Sequence, residues 1–481
     1  MKLKDLLNGV EVLDVHADLE MTITGVTYDS RKVTPGCVFV AITGFATDGN
    51  LYIDKAMAAG AVAVITGKEQ QKDIPYVRVA SDRLALAQVG ANYYNHPGKA
   101  MKLIGVTGTN GKTSSTLLLK HVIEQVLGAK VGLMGTMENM IGHERIATER
   151  TTPESLDLQA LLGQMRDGGC GYAIMEVSSH AICLERVGGL HYDVAAFTNL
   201  TEDHLDFHET MENYCDAKAQ LFARCDHAVI NCDDPWAKRI CAQANCHMIE
   251  TSGKTQSGLY AKDVELLSDG VRFTAVYGDR EVPVHVCIPG KFTVYNVLTV
   301  LGCALCLDIS LEQAAKALET AQGVKGRVEV VPTPGKDYTV LIDYAHTPDG
   351  LENVLSSVRG YCRGRLIAVF GCGGDRDPIK RPIMGKIGVD IADLAIITSD
   401  NPRTEEPAAI IRDICKGIDK TNYQVIENRP EAIRYAMDIA QKDDIIVLAG
   451  KGHETYQEIH GVKHHLDERE VVAAHLEETR D

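Results

Sequence analysis

Short apolar stretches alternate with polar loops along the whole chain, and their spacing predicts strands and helices in turn. In the first hundred residues, strands are predicted at 22–26, 38–42 and 61–66, with a helix at 52–59. Short runs rich in Val and Ile are typical of strands in a half-buried or buried sheet. The polar sequence Asn-His-Pro-Gly at 95–98 predicts the end of this first α/β domain.

The remaining chain shows the same alternation at spacings that favour parallel sheets covered by helices on both faces. A second break is predicted at the glycines of residues 323–326. We therefore predict an α/β fold with three domains, at 1–98, 99–326 and 327–481. Predicted strands lie at 102–106, 131–135, 172–177, 194–198, 228–231, 340–343, 366–370, 394–398 and 445–448, and predicted helices at 112–127, 153–167, 211–222 and 295–304.

Composition narrows the function classes. A chain of 481 residues is too long for one core, and 45% hydrophobic with 24% charged residues is typical of soluble globular proteins. The net charge of −17 argues against nucleic-acid binding. No apolar run approaches the ~18 residues of a membrane span, and the first ten residues lack a signal-like apolar core.

With fourteen scattered cysteines, we expect a reduced, cytoplasmic protein. Cys303 and Cys306 could form a metal or redox pair, but their apolar surroundings favour buried thiols.

A glycine-rich loop precedes the predicted helix at 112–127. Gly108 and Gly111 allow backbone N–H groups to approach an anion, Lys112 adds a cation, and Thr113 offers a hydroxyl to a phosphate-bound Mg²⁺. The general phosphate-loop pattern has a glycine where this chain has Val106. The alternative of a structural glycine turn remains, but Lys-Thr between a strand and a helix favours phosphate binding.

Two polar clusters follow the next strands of the central domain, at the edge where open α/β sheets bind ligands. Glu176 is an attractive oxygen ligand for Mg²⁺, and His204 could be a nitrogen ligand of a second ion. Each also has a structural alternative, Glu176 as a helix-capping partner and His204 as a loop histidine bonded to a neighbour. Lys218 lies on an amphipathic helix, where spacing alone favours a solvated lysine.

Recognition groups also follow the predicted strands of the last domain. They lie in loops that begin near Asp343, Gly371, Asp400 and Gly450. Arg376 and Arg403 could each hold a carboxylate with two parallel hydrogen bonds. The glycines after 371 are only a weak dinucleotide-binding signal, because their spacing is incomplete.

Five motifs, taken together and in this order, resemble the Mur ligase family of ATP-dependent amide-forming ligases in peptidoglycan synthesis. They are Gly-Thr-Asn-Gly-Lys-Thr ending at Thr113, Glu-Val-Ser-Ser-His from Glu176, Thr-Glu-Asp-His-Leu-Asp from Thr201, Tyr-x-x-x-Lys ending at Lys218, and Asp-Tyr-Ala-His from Asp343. The compact loop without a glycine at 106 is normal in that family. The Asp-Asn-Pro-Arg sequence at 400–403 resembles members that use meso-diaminopimelate.

The resemblance implies an N-terminal UDP-binding α/β domain, a central P-loop-type ATPase domain with a parallel sheet, and a C-terminal Rossmann-like α/β domain for the amino acid. It implies ATP as co-substrate with Mg²⁺, and acylation of an amine by a UDP-muramoyl-dipeptide through an acyl phosphate. Lys218 matches a lysine that is carbamylated in the family. The implied ATP contacts are Gly108, Thr109, Asn110, Gly111, Lys112, Thr113, Ser114, Asn296, Arg327, Asp343 and His346, and the implied metal ligands are Thr113, Glu176 and His204.

The implied substrate contacts fall into two groups. Tyr28, Ser30, Phe45, Ala46, Thr47, Thr151, Thr152, Ser178 and Arg186 match contacts to the UDP-muramoyl-dipeptide, and Arg376, Asp400, Asn401, Pro402, Arg403, Gly450 and Glu454 are candidates for diaminopimelate. Arg150 and Leu184 depart from relatives with Asn and Gln, so we do not expect them to bind substrate. We expect a monomer that needs only small-molecule substrates.

Three other functions remain open at this point. The same ligase could use L-lysine, which lacks the second carboxylate. A folylpolyglutamate-type ligase would share the ATP loop and the lysine but not Asp-Asn-Pro-Arg. A nucleotide-binding regulatory protein would need the loop but not the polar clusters of the last domain.

Overall fold

The protein is described by a computed structural model at residues 1–44, 47–71, 73–148 and 150–479. The chain forms two compact units. The first contains Met1–Tyr260 and Asn296–Ala314, and the second contains Ala261–Tyr295 and the chain from Ala315 onward. Within the described residues, no helix has both the length and the apolarity needed to cross a membrane.

The N-terminal part of the first unit is a small α/β layer structure. Its elements are α1 (Leu3–Leu6), β1 (Val12–His16), β2 (Gly25–Thr27), β3 (Cys37–Ala41), α2 (Ile53–Ala58), β4 (Ala63–Thr66), β5 (Tyr76–Val79) and α3 (Asp82–Tyr93). The strands pair in the order β1-β5-β4-β3-β2, and only the β1–β5 pair is antiparallel. The sequence predicted neither β1, β5 nor α3, and it placed β2 three residues too early.

The central sheet supplies most of the first unit. Its elements are β6 (Lys102–Thr107), α4 (Lys112–Leu127), β7 (Val131–Met134), β8 (Asn139–Ile141), β9 (Glu144–Ile146), α5 (Ser155–Asp167), β10 (Tyr172–Glu176), α6 (Ser179–Cys183), β11 (Tyr192–Phe197), α7 (Leu205–His208), α8 (Met211–Ala219), β12 (Cys225–Asn231), α9 (Ala237–Cys241) and β13 (His247–Ser252). Parallel pairing in the order β7-β10-β6-β11-β12-β13 confirms the predicted parallel sheet.

The order of the strands reverses at β6. The chain continues through α4 to β7 and β10 on one side of β6, and β11 pairs with β6 on the other side. Ligands of doubly wound sheets bind at such a switch point, beyond the carboxyl ends of the strands. Met101, Leu103, Met175 and Phe197 contribute to the buried core of this sheet. The fold therefore places the loop after β6 at the expected ligand position.

Residues 259–318 contain β14 (Leu259–Leu266), β15 (Val271–Tyr277), β16 (Arg280–Val286), α10 (Lys291–Cys306) and α11 (Leu311–Leu318). β15 and β16 form an antiparallel hairpin. α10 covers the predicted helix at 295–304 and starts four residues earlier. Of the two cysteines on α10, Cys303 is 1% exposed, in agreement with the buried-thiol interpretation, whereas Cys306 is only partly buried.

The second unit contains a further α/β sheet. Its elements are β17 (Glu329–Val331), β18 (Thr339–Asp343), α12 (Pro348–Arg359), β19 (Leu366–Phe370), α13 (Lys380–Ile391), β20 (Leu394–Ile397), α14 (Pro407–Cys415), β21 (Tyr423–Val425), α15 (Arg429–Ile439), β22 (Ile445–Ala449), β23 (Tyr456–Ile459), β24 (Val462–His465) and α16 (Glu468–Glu478). The strand order is β17-β18-β22-β19-β20-β21, parallel except at β17. All four predicted strands of this domain are present, and their carboxyl ends share one edge.

Candidate active site

The loop between β6 and α4 has the geometry of a phosphate cradle. Gly108 and Gly111 have φ values of +145° and +84°, a region that favours glycine. A Cβ at Gly108 would overlap Thr198, and a Cβ at Gly111 would overlap the Asn296 amide oxygen. Gly111 is the N-cap residue of α4, so the helix begins at the loop and directs its free N–H groups there.

Lys112, Thr113 and Glu176 meet at the carboxyl ends of β6 and β10. The Lys112 Nζ donates to the carbonyls of Gly108 and Thr109 at 2.8 and 2.9 Å. Burial lowers the pKa of Lys112, although the negative charge of Glu176 opposes this shift. Thr113 Oγ1 donates to Glu176 Oε1 at 2.9 Å. A cation, a hydroxyl and a carboxylate therefore converge at the start of α4.

Thr136 completes the environment of Glu176. Its backbone N–H donates to Glu176 Oε1 at 3.0 Å, and its hydroxyl donates to Oε2 at 2.9 Å. Glu176 is 1% exposed, and these bonds satisfy both carboxylate oxygens. Sequence reasoning missed Thr136, which follows β7 without a recognisable motif.

The loop after β11 holds the other side of the cradle. Asn199 accepts the Asn110 N–H through Oδ1 at 2.9 Å, and its carbonyl accepts the Thr109 N–H at 2.8 Å. Thr198 donates its hydroxyl to the Asn110 carbonyl at 2.6 Å. Both residues begin the polar cluster that the sequence predicted after this strand, although neither was assigned a role of its own. These contacts fix the shape of the loop before any anion binds.

Lys218 is buried rather than solvated. Lys218 is 1% exposed, its Nζ donates to the Gly108 carbonyl at 3.0 Å, and Nζ lies 4.5 Å from the centre of the Tyr214 ring. Burial and then the charge of Lys112 hold the pKa of Lys218 well below its usual range. The solvated lysine that spacing alone favoured is therefore wrong, and the neutral amine is stabilised beside the loop.

His204 lies at the start of α7 with φ +53°. Its ring contacts the His180 ring edge-on, with centroids 4.8 Å apart, and its Nε2 lies 3.4 Å from Asp203 Oδ2. The imidazole is about half exposed and so remains accessible to a ligand. His180, Phe207 and Tyr214 complete an aromatic cluster around it.

The donor set at this edge suits a magnesium ion that is carried by phosphates. In the described part of the chain, no group of three or more His, Cys, Asp or Glu residues could hold a metal ion. Thr113 and Glu176 nevertheless supply the oxygen donors that Mg²⁺ prefers, and Mg²⁺ commonly retains waters and phosphate oxygens for its other positions. The residues present therefore fit an ion that arrives with a nucleotide.

Four residues assigned to the muramoyl-dipeptide meet beside Glu176. The Thr152 hydroxyl donates to the Glu176 carbonyl at 2.8 Å and accepts the Ser178 N–H at 3.2 Å. The Arg186 guanidinium donates to the Thr152 carbonyl at 3.3 Å. The Thr151 and Thr136 hydroxyls lie 3.0 Å apart. The predicted dipeptide contacts thus adjoin the predicted metal ligands.

An open groove of about 1080 Å³ extends across the N-terminal part of the first unit. Tyr28, Ser30, Thr47 and Arg186 line it, whereas Phe45 and Ala46 lie outside the described residues. The Tyr28 hydroxyl donates to Asp157, and burial together with this bond raises the pKa of Tyr28. The groove therefore brings together the described candidates for UDP and one candidate for the dipeptide.

The groove is more basic than the protein as a whole. Its described lining contains six arginine or lysine residues and three acidic ones: Arg31, Lys32, Lys55, Arg83, Arg150 and Arg186, against Asp29, Glu154 and Asp157. Such a concave positive region attracts anions even when the net charge is −17. Arg150 and Leu184, which we did not expect to bind substrate, also lie in this lining.

In the second unit, Asp343 ends β18 and organises the following loop. Its carboxylate accepts the N–H groups of Val328 and Ala345, both at 2.8 Å, and burial raises its pKa. The Arg327 guanidinium lies 5.5 Å from the centre of the Tyr344 ring. His346 Nδ1 lies 2.9 Å from the Tyr344 carbonyl. Arg327, Asp343 and His346 therefore belong to one local structure.

The loops after β20 and β22 form a second polar cluster. Asn401 Nδ2 donates to Glu454 Oε2 at 2.9 Å, and Lys451 Nζ lies 3.2 Å from both Asn401 Oδ1 and Glu454 Oε2. Asp400 Oδ1 accepts the Asn401 N–H at 2.7 Å, while its Oδ2 is buried without a partner. Lys451 has no exposed surface, and sequence reasoning did not identify it.

The two candidate arginines differ in environment. Arg403 is half-buried with φ +52°; its Nη1 donates to the Gly374 carbonyl at 2.8 Å, and its Nε lies 3.4 Å from Glu458 Oε2. Arg376 is exposed and donates only a 3.3 Å bond to the Asp375 carbonyl among the bonds described. Arg376 is thus exposed and Arg403 half-buried, and carboxylate binding by either arginine stays a prediction.

Comparison with known families accounts for most of the chain. Residues 22–99 match the "Mur ligase family, catalytic domain", residues 106–304 the "Mur ligase middle domain", and residues 326–452 the "Mur ligase, glutamate ligase domain".

The chain belongs to the Mur ligase family.

Individual Mur ligases match over nearly the whole chain. A UDP-N-acetylmuramoyl-L-alanyl-D-glutamate–2,6-diaminopimelate ligase of Clostridium tetani is 47% identical, covering 99% of this chain and 100% of the relative. One from Clostridioides difficile is 45% identical over 98% of this chain and 99% of the relative. A solved ligase of the same name matches with a TM-score of 0.81 and 32% identity, over 100% of this chain and 99% of that one.

The fold also occurs in more distant ligases. A folylpolyglutamate synthase of Mycobacterium tuberculosis, complexed with ADP and AMPPCP, has a TM-score of 0.57 at 16% identity, over 83% of this chain and 96% of that one. At such low identity the likeness shows the fold alone.

The predicted three-domain α/β fold of a Mur ligase and its ATP-dependent ligase class are confirmed by the family models and by the relatives that match over the full length.

Proposed function

We propose that this chain is the ADP-forming ligase that joins meso-2,6-diaminopimelate to UDP-N-acetylmuramoyl-L-alanyl-D-glutamate in peptidoglycan precursor synthesis. ATP phosphorylates the γ-carboxylate of the D-glutamyl residue, and the amine then attacks this acyl phosphate. Phosphate leaves and the amine nitrogen loses a proton, which gives the amide. The full-length match to ligases of this name carries the proposal.

The nucleotide phosphates would bind at the start of α4. Gly108 to Ser114 would supply backbone N–H groups there, and Lys112 would exchange its bonds to loop carbonyls for the β- and γ-phosphate oxygens. Thr113, Glu176 and His204 would hold Mg²⁺, which neutralises phosphate charge when bound. Asn296 lies against Gly111, which supports its assignment as a nucleotide contact. Arg327, Asp343 and His346 are assigned to ATP by family resemblance.

Lys218 has the properties that carbamylation requires. An amine reacts with CO₂ in its neutral form, and burial stabilises that form of Lys218. The resulting carbamate would carry a negative charge beside Gly108, where the neutral amine now lies. Its oxygens could then orient the Mg²⁺ that steadies the acyl phosphate.

The nucleotide-sugar substrate would occupy the basic groove. Tyr28 and Ser30, together with the turn at 45–47, are proposed to contact uracil and ribose. Thr151, Thr152, Ser178 and Arg186 would then hold the muramoyl-dipeptide close to Glu176, to which Thr152 is bonded. This arrangement would bring the D-glutamyl carboxylate to the end of the strands that hold the ATP loop.

The second amino-acid head of diaminopimelate would select the amine. Arg403 and Arg376 are proposed for its carboxylates, and Asp400 and Glu454 for the distal ammonium. Asn401, Pro402 and Gly450 shape the same two loops. L-Lysine lacks the distal carboxylate and would make no such contact with Arg403, a mismatch that can cost several kcal/mol in polar sites.

Phosphate release tests the proposal directly. The protein is incubated with ATP, Mg²⁺ and the UDP-muramoyl-dipeptide, and meso-diaminopimelate, L-lysine or L-glutamate is added in turn. We expect fastest turnover with meso-diaminopimelate and a product whose mass increases by one diaminopimeloyl residue. Faster turnover with L-lysine would overturn the amine assignment, and ATP hydrolysis independent of the dipeptide would favour a nucleotide-binding regulatory protein.

A further inference from the structure

One buried arginine connects the two loops assigned to the amine. Arg429 begins α15 and has a fully buried side chain. Its Nη2 donates to the Ala449 carbonyl at 2.8 Å, and its Nη1 lies 3.5 Å from the Ser399 carbonyl. Ala449 and Ser399 immediately precede Gly450 and Asp400. The planar guanidinium therefore spans the roots of both loops and fixes their separation.

Glu468 holds this guanidinium in place. It begins α16, has no exposed surface, and accepts the Arg429 Nε at 2.7 Å. Arg429 also faces Asp400, whose Oδ2 lies 3.9 Å from Nη1, too far for a hydrogen bond. Two carboxylates thus compete for one arginine, and Glu468 has the bonded position.

The competition leaves unsatisfied negative charge beside the amine loops. Asp400 Oδ2 and Glu468 Oε2 are both buried without a hydrogen-bond partner. Asp400 Oδ2 also lies so close to Gly450 that a Cβ there would be 2.7 Å away, so no side chain separates the loops at this point. Unpaired buried oxygens are costly, and such sites call for an explanation beyond folding.

The whole cluster has an excess of carboxylates. Lys451 bridges Asn401 and Glu454. Arg429 and Lys451 are the two cations of the cluster. Its carboxylates are Asp400, Glu454 and Glu468. With all five groups ionised the cluster carries one net negative charge, which favours a cationic ligand in its low-dielectric surroundings.

We infer that Arg429 and Glu468 are positioning residues that set recognition of the amine substrate by fixing the 400–403 and 450–454 loops and keeping Asp400 from hydrogen-bonding to Arg429. This inference rests on the proposed function, since it assumes an amine with a distal ammonium. Neither side chain touches the substrate. Both act through the shape and the charge of the two loops.

The variant Glu468→Gln tests this role because it keeps the size of the side chain and removes its charge. Arg429 is then free to turn toward Asp400, and the cluster loses its net negative charge. We expect the KM for meso-diaminopimelate to rise about 10- to 100-fold, as expected for loss of a charge-assisted contact. The KM values for ATP and the UDP-muramoyl-dipeptide should stay unchanged. Glu468→Asp, which retains the charge, should restore part of the affinity.

Asp444→Asn is the matched control. Asp444 is 2% exposed and pairs with Arg365 at 2.6 Å. It precedes the first residue of β22, whereas Gly450 follows the last residue of the same strand. Thermal unfolding monitors both variants. We expect Asp444→Asn to lose stability without a selective change in the KM for the amine.

Two results would overturn the inference: an unchanged KM for diaminopimelate in Glu468→Gln, or an equal rise for all three substrates. If Glu468→Gln does not fold, Arg429→Lys decides by the same criterion, because it keeps the charge but cannot bridge both loops. Failure of the wild-type protein to use diaminopimelate would instead refute the proposed function.

Discussion

The two glycines that bound α4 allow the phosphate cradle to be tested against a control in the same helix. Gly111 at the N-terminus has φ +84°, and Gly128 at the C-terminus has φ +61°. Alanine at either position costs roughly 1–2 kcal/mol, because its Cβ clashes locally in the left-handed region. The backbone strain of the two substitutions should therefore be similar.

The two substitutions should differ greatly in their effect on the kinetics with ATP. A Cβ at Gly128 meets no atom within 4 Å, whereas a Cβ at Gly111 overlaps Asn296 Oδ1. Asn296 would have to retreat by about 1 Å to reach ordinary contact. A displacement of about 1 Å at a group that positions a reactant can reduce the rate by about 100-fold. We therefore expect kcat/KM for ATP to fall by about this factor in Gly111→Ala and to remain near the wild-type value in Gly128→Ala.

Initial rates of phosphate release at varied ATP, with saturating dipeptide and amine, measure this difference. Urea unfolding of each variant gives the free energy of unfolding, so that lost stability is separated from lost catalysis. Equal ATP kinetics in the two variants would refute the assignment of Gly111 and Asn296 to the nucleotide site. A large catalytic loss in Gly128→Ala would show instead that general strain in α4 is responsible.

Four further predictions probe the other parts of the site. Lys218→Ala should reduce kcat by at least about 100-fold, and added short carboxylates should restore part of this activity. Lys120→Ala, at another buried lysine, is the control, and carboxylates should not change its activity. Because burial lowers the pKa of Lys218, bicarbonate should activate the enzyme at pH values well below 10.5, and this activation should disappear as the pH falls through the lowered pKa. Arg403→Lys should lower kcat/KM for meso-diaminopimelate by about tenfold and should lower kcat/KM for L-lysine by less. Phosphate release with each amine in turn measures both values. Tyr28→Phe removes the bond to Asp157 and should raise the KM for the UDP substrate about tenfold without changing that for ATP, and equal shifts for both substrates would contradict the groove assignment.

The central and C-terminal strands were predictable because buried parallel strands are nearly continuous apolar runs. β6, β10, β19 and β22 are of this kind. α3 was missed because its sequence is mostly small or apolar and lacks a clear polar face. In the structure, Gly90 of α3 packs closely against Leu156 of α5, a long-range contact that local patterns do not reveal.

The strand-end positions of the site residues were also predictable, but their partners were not. Glu176 was found because it ends an apolar strand, whereas Thr136 follows β7 and reaches Glu176 only through the parallel register of β7 and β10. Arg429 resembles an ordinary first helical residue before a proline. Its role depends on α16, some forty residues later in the sequence.

Val106 shows how a departure from a general motif becomes understandable in the fold. It is 1% exposed and lies within β6, where it pairs with Glu176 of β10 on one side and Ala196 of β11 on the other. The backbone leaves the extended conformation only after Thr107, so glycine is required at 108 and 111 but not at 106. A β-branched residue at 106 also suits the buried strand better than glycine, which would weaken it. The parallel pairing of β6 with β10 thus places the phosphate loop and Glu176 at the same edge in fixed register. This coupling explains why the compact loop and the acidic strand end occur together in the chain.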